Sequence, residues 1–310
     1  MINNLRPQTL NEFIGKTDIK ENLLIYINSA VKQNKSLDHC LIYGLPGTGK
    51  TTLAMIIANE MHKNIKILQG GTLYKNIDII NILLSINDGD IIFIDEIHAV
   101  SQSAMELLFT ALEDFALDIP LGKDFNTKVT RLKLPKFTLI GATTKFGRIP
   151  LALEERFGII IDLKEYDTRT LIEILKQVCK KINLNLKNDE FAIIANNSKN
   201  IPRNAIKILK RVHDFKIHDK NIHVNEILTR MKIYDGLTED DRYYLKVLRE
   251  AKRPIGLKTI SDIINIDIET VENKIEPFLL NKHLINKGNK GREITEQGIE
   301  LLQNNKFSCI

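Results

Sequence analysis

The chain has little of what usually staples or anchors a protein. It contains three cysteines, Cys40, Cys179 and Cys309, scattered through 310 residues. An odd number with no paired spacing excludes a disulfide framework or a cysteine-held zinc site as the organising principle. No apolar run approaches the roughly 18–20 residues that a membrane-spanning helix needs. The opening stretch, Met1-Ile2-Asn3-Asn4-Leu5-Arg6, lacks the apolar core and small-residue cleavage site of a secretory signal. No internal repeat or low-complexity tract interrupts the chain. Neither sign of charge dominates: 44 basic residues stand against 39 acidic ones, a net charge of +5, too mild to mark a nucleic-acid binder by itself. The expectation from these absences is a soluble, cytoplasmic protein with no membrane partner.

What is present is ordinary globular material, 43% hydrophobic and 27% charged, which excludes wholesale disorder. The length suits about two to three domains. The charge is unevenly placed. Residues 167–233 carry 14 Lys/Arg against 7 Asp/Glu, whereas residues 234–310 carry 12 against 13. If the last segment binds DNA, it does so through a local patch and not through bulk charge.

The first half alternates short apolar runs with helical patterns, the signature of a parallel sheet with helical crossovers. Cys40-Leu41-Ile42-Tyr43, Ile91-Ile92-Phe93-Ile94 and Phe137-Thr138-Leu139-Ile140 read as buried strands. Residues 51–62 and 101–115 read as helices, the second with Ser101 as N-cap. Between the last two strands, residues 117–121 and 129–134 alternate apolar and polar around a polar loop, a hairpin pattern. Residues 168–231 are helical throughout. A third unit follows Asp235-Gly236, with helices at 240–250, 257–264 and 268–280 and a glycine-rich close.

Gly44-Leu45-Pro46-Gly47-Thr48-Gly49-Lys50-Thr51 fits G-x-x-x-x-G-K-[ST] and lies between a strand and a helix, the context such a loop requires. Glycines let successive backbone N–H groups wrap a phosphate, the helix start adds its dipole, and Lys50 reaches the β- and γ-phosphates. Thr51 offers a hydroxyl to Mg²⁺. The apolar strand at 91–94 ends in Asp95, which faces the same metal, and Glu96, placed to polarise an attacking water. This second carboxylate favours ATP hydrolysis over binding alone. Thr143, at the end of the third strand, is expected beside the γ-phosphate if that strand neighbours the Asp95 strand.

With these motifs and a helical segment after the sheet, the chain resembles the AAA+ ATPases. Leu5-Arg6-Pro7, Phe13-Ile14-Gly15, Ile94-Asp95-Glu96-Ile97-His98, Glu113-Asp114-Phe115, Gly141-Ala142-Thr143-Thr144 and Arg156-Phe157-Gly158 together make it similar to the RuvB family of branch-migration motors, over nearly its whole length. The resemblance implies an α/β fold with three parts. These are a large P-loop domain (1–165, with a partner-docking hairpin at about 116–135), a small helical lid (166–234) and a C-terminal winged helix (235–310). It implies that Leu5 and Arg6 line the adenine side, with Tyr166 stacking or packing nearby, and that Gly47, Lys50, Thr51 and Thr52 hold the phosphates. Glu113, Asp114 and Phe115 would contact nucleotide across a subunit interface. Arg156 would be an arginine finger supplied to a neighbour, and Arg203 a lid arginine sensing the γ-phosphate of its own subunit. Lys287 and Arg292 would grip DNA phosphates from the wing, which suits a motor that needs no base readout.

The implied cofactors are ATP and Mg²⁺. The implied partners are duplex DNA at four-way junctions, a RuvA-type junction-binding protein docked on the hairpin, a RuvC-type resolvase, and further copies of the chain in a homo-oligomeric ring, a hexamer. Some positions depart from the family pattern: Ala251-Lys252-Arg253-Pro254 before the winged helix, Glu154 before the finger, the hairpin tip at 122–127, and lysines in the wing. They touch the partner interface and DNA affinity and spare the catalytic groups. Two other readings share the P-loop. A clamp loader usually ends in a helical collar, against which the wing-like segment speaks. A nucleotide-switched initiator or regulator reads bases with its second helix, where Glu269, Glu272 and Glu276 are poorly suited.

Overall fold

The computed structural model describes residues 5–121 and 128–304; the hairpin tip at 122–127, the side chain of Leu121 and Cys309 lie outside the described residues. The chain forms two compact units. One runs to Asn185 and also takes in Ile201–Asn204; the other holds Leu186–Asn200 and the chain from Ala205 onward.

In the first unit, α1 (Thr17–Lys32), β1 (Cys40–Tyr43), α2 (Lys50–Glu60), β2 (Ile65–Gln69), α3 (Asn76–Leu84), β3 (Ile91–Asp95) and α4 (Gln102–Asp114) precede a hairpin of β4 (Ala116–Leu121) and β5 (Lys128–Lys133). Then come β6 (Thr138–Thr143), the single turn α5 (Leu151–Glu154), β7 (Ile159–Asp162) and α6 (Thr168–Ile182). Five strands form one parallel sheet in the order β2-β3-β6-β1-β7. Alternation along the strands builds two cores. Cys40, Ile42, Ile91, Phe93 and Ile140 pack under α1 and α2, while Leu41, Ile92, Ile94 and Leu139 pack under α3 and α4.

The register aligns Tyr43 with Thr143 and Ile94 with Gly141. The loops leaving β1, β3 and β6 therefore emerge side by side at the carboxyl ends of the strands, where ligands of such sheets bind. The three expected strands and both expected helices are present, and Ser101 caps α4 by accepting from Ala104 N at 3.4 Å. The pattern reading passed over β2 and β7. Both are edge strands that leave Ile67 and Ile160 exposed, so neither carries a continuous buried run. The hairpin is antiparallel, with Leu117 opposite Leu132 and Ile119 opposite Thr130. Leu117 is not on a free arm: it is fully buried in the core beneath α4.

In the second unit, α7 (Asn188–Asn196), α8 (Pro202–His218, which begins in the first unit) and α9 (Val224–Arg230) lead to α10 (Glu239–Ala251) and α11 (Leu257–Ile264). The expected helix at 268–280 is helical from end to end but not uniformly α-helical. It runs as α12 (Ile268–Thr270), a π-helical turn at Val271–Ile275 and α13 (Glu276–Asn281). Pro277, at the start of α13, has no N–H for the preceding turn and its ring crowds it, so the ladder widens there. The strands β8 (Ile285–Gly288) and β9 (Gly291–Ile294) form the wing, and α14 (Glu296–Asn304) closes the unit. Leu237, Tyr244, Leu248, Ile260, Val271 and Leu279 form the core of the part that carries the wing.

Candidate functional site

The loop leaving β1 is shaped by two glycines in the left-handed region, Gly47 at φ 88° and Gly49 at φ 111°. A Cβ on Gly47 would lie 2.8 Å from Arg203 Cβ and 2.9 Å from Ile201 Cγ2, so the cradle is closed on one side by the start of α8. Arg203 N also donates to Gly47 O at 3.3 Å. Lys50 opens α2, and its Nζ folds back to Gly44 O at 2.8 Å and Leu45 O at 3.1 Å. Burial lowers the pKa of this ammonium, against the opposing pull of Glu96 and Asp95, with Arg203 adding to the fall. Thr52 is half-buried in the same first turn.

Thr51 Oγ1 lies 3.5 Å from Asp95 Oδ2, so two hard oxygen donors converge as Mg²⁺ prefers. Among the described residues no cluster of three or more His, Cys, Asp or Glu could hold a metal. That fits an ion taking one or two protein oxygens and completing its shell with phosphates and water.

Glu96 sits at φ 50°, ψ 51°, a left-handed conformation costing a non-glycine residue on the order of 1 kcal/mol or more. Its Oε2 accepts from Thr144 N at 3.1 Å and Thr144 Oγ1 at 2.9 Å, and His98 Nδ1 lies 3.2 Å away. The strand order meets the condition set for Thr143, since β6 neighbours β3, and its side chain is bonded to His98 and Lys145. Thr143 is fully buried; its Oγ1 accepts from Lys145 N at 3.0 Å and lies 2.9 Å from His98 Nδ1. Thr144, the next residue, reaches Glu96 instead. The tandem threonines were visible in the sequence, but which of them points outward depends on the pleat.

The remaining nucleotide candidates are placed less directly. Leu5 is half-buried and Arg6 exposed; the Arg6 guanidinium touches Met55 Sδ of α2 at 3.5 Å. Tyr166 is buried and packs as a wall: its hydroxyl donates to Thr48 O at 3.2 Å, and Lys16 Nζ lies 4.4 Å from its ring centroid. Burial raises its phenol pKa.

Arg156, just after α5, is held within its own chain. Its Nη2 pairs with Glu113 at 2.6 Å, its Nε donates to Phe109 O at 3.3 Å, and Nη1 bonds Ala152 O. Asp114 pairs with Arg131 of the hairpin. Phe115 ends α4 in a left-handed conformation and packs inward, edge-on to Phe137 at 5.7 Å. Of the three residues expected to meet a neighbour's nucleotide, Phe115 is thus turned into its own core, and the two carboxylates are paired within the chain.

The wing departs furthest from expectation. The Arg292 side chain is only 11% exposed and Glu276 2%. Arg292 Nε donates to Glu276 Oε1 at 2.8 Å and Nη2 to Oε2 at 3.3 Å, while Tyr244 Oη donates to Glu276 Oε1 at 2.9 Å. Arg292 therefore ties the wing to the helices beneath it and is not free to grip phosphate. Lys287 is 45% exposed and shared between Glu272 at 3.4 Å and Glu276 at 3.5 Å. Lys282 and Lys290 are exposed and make no ion pair among the described residues.

Residues 5–163 match the Holliday junction DNA helicase RuvB P-loop domain, residues 166–234 the RuvB AAA lid domain and residues 234–303 the RuvB C-terminal winged helix domain. The chain belongs to the RuvB family. It is 52% identical over 304 residues to the Holliday junction branch migration complex subunit RuvB of Ureaplasma parvum, covering 97% of each chain. To the RuvB of Mycoplasma genitalium it is 42% identical over 299 residues, covering 96% of this chain and 97% of that one. A solved structure, the Holliday junction branch migration motor RuvB of Thermotoga maritima, superposes with a TM-score of 0.86 at 35% identity, over 97% of this chain and 98% of that one. RuvB family membership accounts for the P-loop sheet, the helical lid and the winged helix.

Proposed function

We propose that this chain is an ATP-hydrolysing DNA motor that moves the branch point of Holliday junctions during recombination and repair. The observation that carries the reading is the meeting of three strand ends: Lys50, the Thr51–Asp95 pair and the Thr144-held Glu96 share one edge of the sheet, in a chain that ends in a winged helix. It acts in the cytoplasm as a homo-oligomeric ring, a hexamer, on duplex DNA at four-way junctions. A RuvA-type junction-binding protein docks on the β4–β5 hairpin, and a RuvC-type resolvase is a further partner.

Lys50 exchanges the neutral carbonyls of Gly44 and Leu45 for anionic phosphate oxygens, so that the ammonium meets an opposite charge. Thr51 and Asp95 hold Mg²⁺, which when bound neutralises charge on the phosphates. Glu96 takes up the proton of the attacking water once Thr144 releases or re-aims its Oε2. Arg203, fixed against Gly47, senses the same subunit's nucleotide. Arg156 leaves Glu113 to meet the nucleotide of the neighbouring copy, so hydrolysis depends on assembly.

The test uses a synthetic four-way junction with the RuvA-type protein. Movement of the branch point is expected only with ATP and Mg²⁺. Lys50→Ala is expected to lower ATP turnover about 10²–10³-fold, the scale of losing one positioned donor to developing charge, and to stop movement. Binding without movement in the presence of ATP would decide for a nucleotide-switched DNA-binding protein.

A further inference from the structure

The lid and the winged helix meet inside the second unit at a buried ion pair. Lys199 Nζ lies 2.5 Å from Asp241 Oδ2, with side-chain exposures of 14% and 1%. Lys199 and the following Asn200 both sit in the left-handed region, at φ 55° and 59°, so the backbone is bent to bring the ammonium inward. Its Nζ also lies 5.1 Å from the Phe278 ring of α13. Asp241 Oδ2 accepts in addition from Thr238 N and Thr238 Oγ1, each at 2.7 Å, which caps α10. Asp241 Oδ1 has no hydrogen-bond partner among the described residues. Among the described residues, Lys199 is thus the one ion-pair partner of a nearly inaccessible carboxylate.

Around this pair the connection is pinned again. Gly236 N donates to Asn197 Oδ1 at 2.8 Å, and Gly236, at φ 78°, leaves a Cβ only 3.1 Å from Phe278 Cζ and 3.4 Å from Asn196 O. Tyr234 and Leu237 bridge across the turn, and Lys232 pairs with Glu239 at 3.0 Å. A segment joining two domains is usually loosely held; this one is not.

We propose that Lys199 and Asp241 form a positioning joint that makes the α7–α9 part of the lid and the winged helix turn as one body, so that the lid's response to nucleotide reaches DNA. The proposal deepens the motor reading and rests on it. Two features of the chain place the pair on the route. Lys199 lies four residues before Arg203, whose segment abuts the phosphate loop. Asp241 lies one helical turn before Tyr244, which holds Glu276 and through it Arg292 of the wing. A contact at low dielectric, made at a single oxygen, holds an angle that a solvated pair would not. Lys199 and Asp241 touch neither nucleotide nor DNA; they act through the elements they join.

The test separates coupling from folding. Lys199→Met alone strands a buried carboxylate, so the informative variant is Lys199→Met with Asp241→Asn, which removes both charges and keeps volume and cap. It is expected to melt near the unaltered chain and to keep ATP turnover and duplex affinity within about two-fold, while base pairs moved per ATP fall about ten-fold or more. Lys199→Arg is expected to retain most of that yield. Unchanged yield in the double variant overturns the proposal, and so does a fall of turnover in step with movement, which marks a merely structural pair.

A second readout does not depend on motor activity. Spin labels on Asn225→Cys and Thr259→Cys, in a Cys309→Ser background, are expected to give one narrow distance distribution in the otherwise unaltered chain and a broad one in the double variant. Equal widths overturn the joint. An unaltered chain that moves no junction, with a narrow distribution that still broadens in the double variant, would overturn the motor reading and leave the joint standing.

Discussion

The phosphate loop and the wing both present cations that the sequence marks as ligand-binding, and they treat them oppositely. Lys50 rests on two backbone carbonyls, and Arg156 rests on two carbonyls and a Glu113 carboxylate that is itself 62% exposed. Arg292 rests on Glu276, a carboxylate with almost no access to water. A carbonyl or a solvated carboxylate is left at little cost when a phosphate arrives. A buried carboxylate left without its cation costs several kcal/mol. What separates a ligand-binding cation from a structural one is therefore what its departure would leave behind.

Three results would break or sharpen this contrast. The largest effect is expected at Arg156: Arg156→Ala should cut ATP turnover of the assembled chain about 10³-fold or more, with its melting temperature little changed. Mixing it with the Lys50→Ala chain should recover measurable turnover, because each supplies what the other lacks. Full activity of Arg156→Ala alone would remove the finger from the mechanism. Next, Arg292→Ala should destabilise the second unit by about 3 kcal/mol, read by urea unfolding, because buried Glu276 loses both guanidinium bonds and keeps only Lys287, at 3.5 Å, as a counter-charge. Lys287→Ala, at a half-exposed pair, should cost under about 1 kcal/mol. Comparable costs at the two positions would erase the distinction drawn in the wing.

The smaller third effect is pH dependence at His39, whose partners are also backbone atoms but buried. Leu139 N donates to its Nδ1 at 3.0 Å, so Nε2 carries the proton given to Leu112 O at 3.1 Å. Burial lowers its pKa from 6.5, against the opposing pulls of Leu112 O and Asp38. A group depressed in the folded state is protonated first in the unfolded chain. Its contribution is therefore complete above pH 6.5 and is lost as pH falls from there toward the lower folded value. Melting temperature should fall across that window, and His39→Gln should flatten the slope. An unchanged slope would show that His39 does not report on its burial.

The elements legible from sequence were those whose signal is local. The loop at 44–51, the apolar run ending in Asp95-Glu96 and the amphipathic helices follow from spacing alone. The strands β2 and β7 were missed because an edge strand buries only part of its surface. The π-helical turn at Val271–Ile275 follows from Pro277, a signal present in the sequence and outweighed by the surrounding helical periodicity. At the site, Lys50, Thr51, Asp95 and Glu96 fall together as their motifs require. Thr144 displaced Thr143, and Phe115 turned inward, because the direction of a side chain depends on its neighbours in space.

The amino-acid order by itself determined the phosphate loop, the paired acids, the buried strands and the all-helical stretch that follows them, since each rests on periodicity or on contacts a few residues apart. Tertiary structure alone decided the partners of the charges: Arg203 beside Gly47, Arg156 on Glu113, Lys199 on Asp241 and Arg292 on Glu276. The physical reason is that a charge acts through distance and dielectric, and both are set by chain segments that lie beyond the reach of local periodicity, 16 residues away for Arg292 and 43 for Arg156.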